Sequence, residues 1–153
     1  MDEKTKEILE RYRLFWLIEK GEVPSIETSI PMGKNEKCYF VADANWCEVR
    51  SITRTARYGL SAERSGKDQI KRQTTHEFTK VDSGRIYLTN KRVLFYGNKL
   101  EQAIALTQVK DFVPMGNGIQ IHRKSGNHPF LQFDLGVEVF SLMLARNLRD
   151  LAN

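Results

Sequence analysis

The sequence predicts a mainly β, α+β chain: a bent antiparallel sheet or partly open barrel of six or so strands, plugged by a carboxy-terminal helix and preceded by an extra amino-terminal helix. Three observations predict it. Apolar residues recur every three or four positions at both ends of the chain, from Ile8 and again from Val137. Between these ends lie aromatic and β-branched runs separated by turn residues. No proline interrupts the strand pattern between Pro31 and Pro114.

The first helix is expected over Glu3 to Lys20. Ile8, Leu9, Tyr12, Phe15 and Trp16 form its stripe, Leu14, Leu17 and Ile18 widen it, and Gly21 supplies the stop. So apolar a helix must pack on the following domain or form an interface, and Tyr12, Phe15 and Trp16 are its candidate protein contacts. Pro24 and Pro31 bracket an extended linker or short edge strand, which divides the chain into a helix-and-linker span, 1–35, and a β domain with its terminal helix, 36–153. From Lys37 to Thr53 the composition predicts one or two long strands, bent or bulged near Asp43-Ala-Asn45. The segment from Arg54 to Thr75 is poor in bulky aliphatics and carries Tyr58-Gly59 and Ser65-Gly66, as a long hairpin or a mobile insert would.

The stretch Gly84-Arg-Ile-Tyr-Leu-Thr-Asn-Lys-Arg-Val-Leu-Phe-Tyr-Gly97 alternates on both sides of a polar Thr-Asn-Lys-Arg. Ile86 and Leu88 oppose Arg85, Tyr87 and Thr89, while Val93 and Phe95 oppose Leu94 and Tyr96. Asn90 tolerates turn geometry and Thr89 can bond neighbouring backbone, so a tight turn explains the polar knot. Short strands follow at 103–106, 109–113, 119–123 and 130–134, and a helix with Val137, Phe140, Leu144, Leu148 and Leu151 on one face closes the chain.

With 153 residues, the chain can bury one core without staples. Cys38 and Cys47 are an odd number of residues apart, so on one regular strand they face opposite ways and do not bridge; reduced, buried thiols are expected. The start lacks an export pattern and no apolar run approaches ~20 residues, which together predict a cytoplasmic protein whose membrane role, if any, is peripheral. The net charge is +5, and its excess concentrates at Arg50, Arg54, Arg57, Arg64, Lys67, Lys71 and Arg72, opposed only by Glu63 and Asp68. Such a block attracts phosphate-bearing partners, lipid or nucleic acid, or else is a solvated face.

The pattern from Gly84 to Phe95, with the strands at Ile104–Leu106, Ile119–Ile121 and Phe130–Phe133, resembles the core of GRAM-type and bacterial pleckstrin-homology-like (PH-like) domains. The likeness runs from about Val81 to Asn153. It implies a binding or scaffolding module in which the Thr-Asn-Lys-Arg turn joins two barrel strands. The first half of the chain departs from a minimal domain of that kind.

No catalytic constellation is legible. Cys47 beside Glu48 and His76 beside Glu77 are the only pieces for a small hydrolase, with no motif to set their geometry. His76, His122, His128, Cys38 and Cys47 lack metal-ligand spacing, although His122 and His128 could face each other across the Ser125-Gly126 turn. No phosphate-binding glycine motif is present, so neither metal nor cofactor is expected. The expected function is non-catalytic engagement of a protein partner or of a second copy. The alternative is anion binding through Arg54, Arg57, Arg64, Lys67, Lys71 and Arg72, with Lys91 and Arg92 as rim contacts.

Overall fold

The computed structural model describes the backbone of residues 2–58 and 69–152 and the side chains of 2–49 and 77–151. Helix α1 (Glu3–Lys20) starts where the Asp2 side chain accepts from the Thr5 N–H at 2.7 Å. It ends at Gly21, whose positive φ of 74° lets Gly21 N–H reach the Ile18 carbonyl and Glu22 N–H the Leu17 carbonyl. The strands are β1 (Cys38–Tyr58), β2 (Gln69–Thr89), β3 (Arg92–Gly97), β4 (Glu101–Ala105), β5 (Val109–Met115), β6 (Gly118–Arg123) and β7 (Phe130–Gln132), and α2 (Val137–Ala152) follows. They form one antiparallel sheet in the order β4-β3-β2-β1-β7-β6-β5, so the described ladders leave β4 and β5 as edges, joined in sequence by a 3₁₀ turn at Leu106–Gln108.

The expected architecture is observed, with seven strands in place of six or so. Residues 38–58 form a single strand, with register shifts at Cys38/Phe40 and at Trp46/Cys47, the latter just beyond the predicted bend. The described part of the basic segment, up to residue 58 and from residue 69, lies on two paired strands: β1 and β2 pair as far as Tyr58 with Gln69. Because β7 pairs only with Asn45–Cys47 and β3 only with Gly84–Leu88, the rungs from Glu48 with Thr79 outward have no described third strand. Ten residue steps at ~3.3 Å give this two-stranded arm a length of about 33 Å. At its foot the rings of Phe78 and Phe130 stack, centroids 4.4 Å apart.

The core lies on one face of the sheet, where α2 inserts Phe140 and Leu144 among Ile86, Leu88, Phe95, Ile119, Ile121 and Leu131. Phe40, Phe133 and Phe140 make a mutual aromatic cluster with centroids 5.3 to 5.9 Å apart, and Trp46 packs on Phe95. Ile18 of α1 belongs to the same core, so residues of both sequence spans, 1–35 and 36–153, share it. The opposite sheet face carries a second cluster of Cys38, Tyr87 and Leu94, covered by Ile30 and Met32 of the linker. Both faces of the Gly84–Gly97 hairpin are therefore packed, as its two apolar alternations require.

Cys38 and Cys47 are both buried and free, and burial pushes both thiols above their ordinary range. No described helix is long and apolar enough to cross a membrane.

A Cβ on Gly84 would overlap the Tyr96 carbonyl and come within 2.5 Å of Gly97 Cα across the β2–β3 ladder. Gly84→Ala is expected to cost at least about 2 kcal/mol, seen as a fall of several degrees in melting temperature. Gly116→Ala, where a Cβ meets nothing within 4 Å, serves as the control and should leave the transition in place.

Candidate functional site

The Thr89–Arg92 turn is an anchor for the linker rather than an open rim. Glu36, its side chain 2% exposed, forms a forked pair with Arg92: Nε donates to Oε2 at 2.8 Å and Nη2 to Oε1 at 3.1 Å. The Thr89 hydroxyl donates to Glu36 Oε2 at 2.7 Å and accepts the N–H groups of Lys91 and Arg92. The Gly33 N–H donates to Glu36 Oε1. Asn90 accepts the Lys37 N–H through Oδ1 and donates through Nδ2 to the carbonyl of Asn35, which sits at φ 61°, a left-handed conformation that asparagine tolerates. Lys91 Nζ reaches the Lys34 carbonyl at 2.6 Å, and Arg92 Nη2 also reaches that of Pro31.

Lys91 and Arg92, expected as rim cations, are both engaged within the turn. The Arg92 charge is matched by Glu36, and the Lys91 ammonium is turned onto a backbone carbonyl. Burial pushes the Glu36 carboxyl up, but Arg92, the Gly33 N–H and the Thr89 hydroxyl more than offset that and hold it at about 2.

The basic block falls as follows. Arg54, Arg57, Lys71 and Arg72 occupy four successive rungs of the arm, in which Arg54 pairs with Gln73, Thr55 with Arg72, Ala56 with Lys71 and Arg57 with Ile70. The pairing brings positions up to 18 apart in sequence onto neighbouring rungs, Arg54 and Lys71 at one face of the ribbon and Arg57 and Arg72 at the other. Arg64 and Lys67 lie outside the described residues, as does the His76 side chain.

Helix α1 carries two apolar faces where the sequence showed one wide stripe. Leu14, Phe15 and Ile18 turn inward against the core. Ile8, Leu9, Tyr12 and Trp16 turn outward, with Tyr12 65% and Trp16 55% exposed. Of the three expected contacts, Tyr12 and Trp16 are at the surface, whereas Phe15 is half-buried and meets Tyr12 edge to face. Every residue from Glu3 to Arg13 is exposed, so only the last two turns seat on the domain. There, Arg146 of α2 holds the carbonyl of Glu19 and lies 3.9 Å from its carboxylate, a cation placed at the negative end of the helix dipole.

Between α1, β1 and the start of α2 runs a groove of about 700 Å³. Leu14, Val23, Phe40, Leu135, Val139 and Met143 contribute to its apolar lining, and the charged residues lining it are Asp43 and Asp134, both carboxylates. Asp43 also meets Arg85 at 3.2 Å. A groove beside the carboxy-terminal helix, open to a peptide or a second copy, is an expectation of the sequence, but Leu135, 84% exposed at its lip, falls between the last strand and α2, outside any periodic pattern.

His122 and His128 do lie together, ring centroids 5.1 Å apart, but each is engaged locally: His122 with Asp111 and Gln120, His128 with the Arg123 N–H. Among the described residues no group of three or more His, Cys, Asp or Glu converges as a metal site.

No family model matches the chain, and no curated protein matches it. Among solved structures it is similar to the C-terminal domain of an unknown protein from Leishmania infantum, at 12% identity and a TM-score of 0.46, over 74% of this chain and 86% of that one.

Because Glu36 titrates at about 2 in the folded chain against an ordinary 4.5, its contribution to stability is complete above about pH 4.5 and is lost as the pH falls toward 2. The shift corresponds to about 3 kcal/mol. Glu36→Gln is expected to lower stability by that order at neutral pH, measured by urea denaturation. The gap between variant and wild type should close on acidification through this window; a pH-independent gap would contradict the assignment.

Proposed function

We propose that the chain is a non-catalytic, PH-like binding module that engages a protein partner through the outward face of α1. The carrying observation is that face itself: Ile8, Leu9, Tyr12 and Trp16 expose apolar surface on a helix whose first eleven residues have no contact that removes them from water. A helix segment of that length is marginal in water by itself, and a contiguous exposed apolar face marks an interaction surface. The PH-like reading is supported by the strand order, an antiparallel meander open between β4 and β5 with α2 packed across it. Against a cysteine hydrolase stands Cys47, buried, paired in register with Lys80 and carrying a thiol that burial makes harder to ionise.

A second reading rests on a separate observation, the four cations that the β1–β2 register gathers on the arm. They suit a phosphate-bearing surface, held by salt-sensitive attraction rather than by sequence-specific contacts.

A photo-crosslinking side chain in place of Tyr12 should give a discrete protein adduct in cells, while the same group in place of Glu10, about 160° away around the helix, should give none. Equal yields at the two positions overturn the α1 reading. For the arm, replacing Arg54, Arg57, Lys71 and Arg72 with alanine should abolish salt-dependent capture by anionic liposomes or oligonucleotides and flatten the salt dependence by about three to four counterions. Capture unchanged by the four substitutions removes the arm from consideration.

A further inference from the structure

We infer that the occupant of the groove beside α1 is the α1 helix of a second copy of this chain, seated reciprocally. This rests on the reading of α1 as a contact surface and names its partner. The two surfaces complement each other in shape class and in charge. At 100° per residue, Ile8, Leu9, Tyr12 and Trp16 span about 100° of the helix surface. Basic residues border that stripe on both sides, Arg13 and Lys20 next to Leu9 and Trp16, Lys4 and Arg11 next to Ile8. Glu3, Glu7 and Glu10 fall on the opposite side of the helix. Glu19, exposed and 3.9 Å from Arg146, falls within the same angular range at the carboxy-terminal end, so it is over the amino-terminal three turns that the exposed face is an apolar stripe with cationic margins.

The groove is the inverse, an apolar trough whose charged lining consists of Asp43 and Asp134. Its α1 wall is Leu14. An incoming α1 would bury Tyr12 and its apolar neighbours against Phe40, Leu135 and Met143 while its basic margin meets Asp134, Asp43 being already paired with Arg85. The same charges disfavour an anionic amphiphile such as a fatty acid, although the chain as a whole carries +5. Stripe and groove lie on different sides of α1, so a two-fold pair uses both twice. Doubling the contact in this way is how one short helix face can approach the roughly 1,200–2,000 Å² of a stable interface.

The test is the molar mass of the full-length chain by light scattering across a concentration series. Tyr12→Glu alters the stripe and Leu135→Arg the groove lip; both positions are exposed, and circular dichroism verifies that each variant folds. The wild type is expected to dimerise, and each variant to weaken dimerisation at least tenfold. An equimolar mixture should recover association, because the Tyr12→Glu groove can still take the intact α1 of Leu135→Arg. A wild type that stays monomeric at every concentration overturns the second-copy assignment and leaves the broader reading to the Tyr12 adduct. A dimer indifferent to Leu135→Arg removes the groove as the seat, and one indifferent to Tyr12→Glu removes α1 as the occupant and defeats both readings.

Discussion

The buried Glu36 carboxylate is the interaction on which the organisation of the first half of the chain depends. An isolated carboxylate with 2% of its side chain exposed would neutralise rather than stay charged. Here the Arg92 fork, the Thr89 hydroxyl and the Gly33 N–H supply the acceptor sites with donors, so the charge persists. The consequence reaches beyond the pair itself. By holding residues 31–37 against the β2–β3 turn, it lays Ile30 and Met32 over Cys38, Tyr87 and Leu94, the apolar residues on the outer face of the sheet. The linker is therefore a lid on one side of the sheet, and the polar turn is its fastening.

That fastening also limits how α1 sits. The chain between Gly21 and the anchored loop is short, with one bridge between Ile26 and Cys38 along the way. It draws the carboxy-terminal end of α1 onto the body, where Arg146 takes up a terminal carbonyl and Ile18 enters the core. Nothing comparable draws in the amino-terminal half. Packing energy falls on Leu14, Phe15 and Ile18, while the residues one turn and more upstream depend on helix propensity and the Asp2 cap alone. The split between a seated half and an exposed half follows from where the tether acts.

These features were unequally legible in the sequence. The ends of α1 were readable because Gly21 is a local stop, and the β2–β3 hairpin was readable because alternation on both sides of a turn is a local pattern. The role of the Thr-Asn-Lys-Arg turn was only half visible. Thr89 does bond its neighbours' N–H groups, as a turn residue should, but its ties to Glu36 span 53 positions, and no periodicity reports such a distance. Lys91 and Arg92 looked like available cations for the same reason. On α1, the apolar residues are adjacent around the helix, so the wheel shows a single wide stripe; which part of it faces inward is decided by α2 and the sheet, which no pattern local to α1 reports.

The arm shows the complementary case, in which local pairing is clear and its support is remote. A two-stranded ribbon is marginal by itself in water. From Glu48 and Thr79 outward, the described rungs of β1 and β2 have only each other, so the orientation of the ribbon is set at its foot, where Phe78 stacks on Phe130 and the register shifts at Trp46/Cys47. Trp46 reaches the core through Phe95, and Phe130 belongs to the strand that precedes α2. The foot therefore rests on buried residues, Trp46 and Phe130, with the exposed Phe78 laid against the latter, whereas the cations stand several rungs beyond it. The outer rungs, the exposed face of α1 and the Glu36 anchor stand at separate places in the fold. The effects of substitutions there on stability should add independently, which lets the anion-binding and helix-docking readings be tested in one chain without confounding each other.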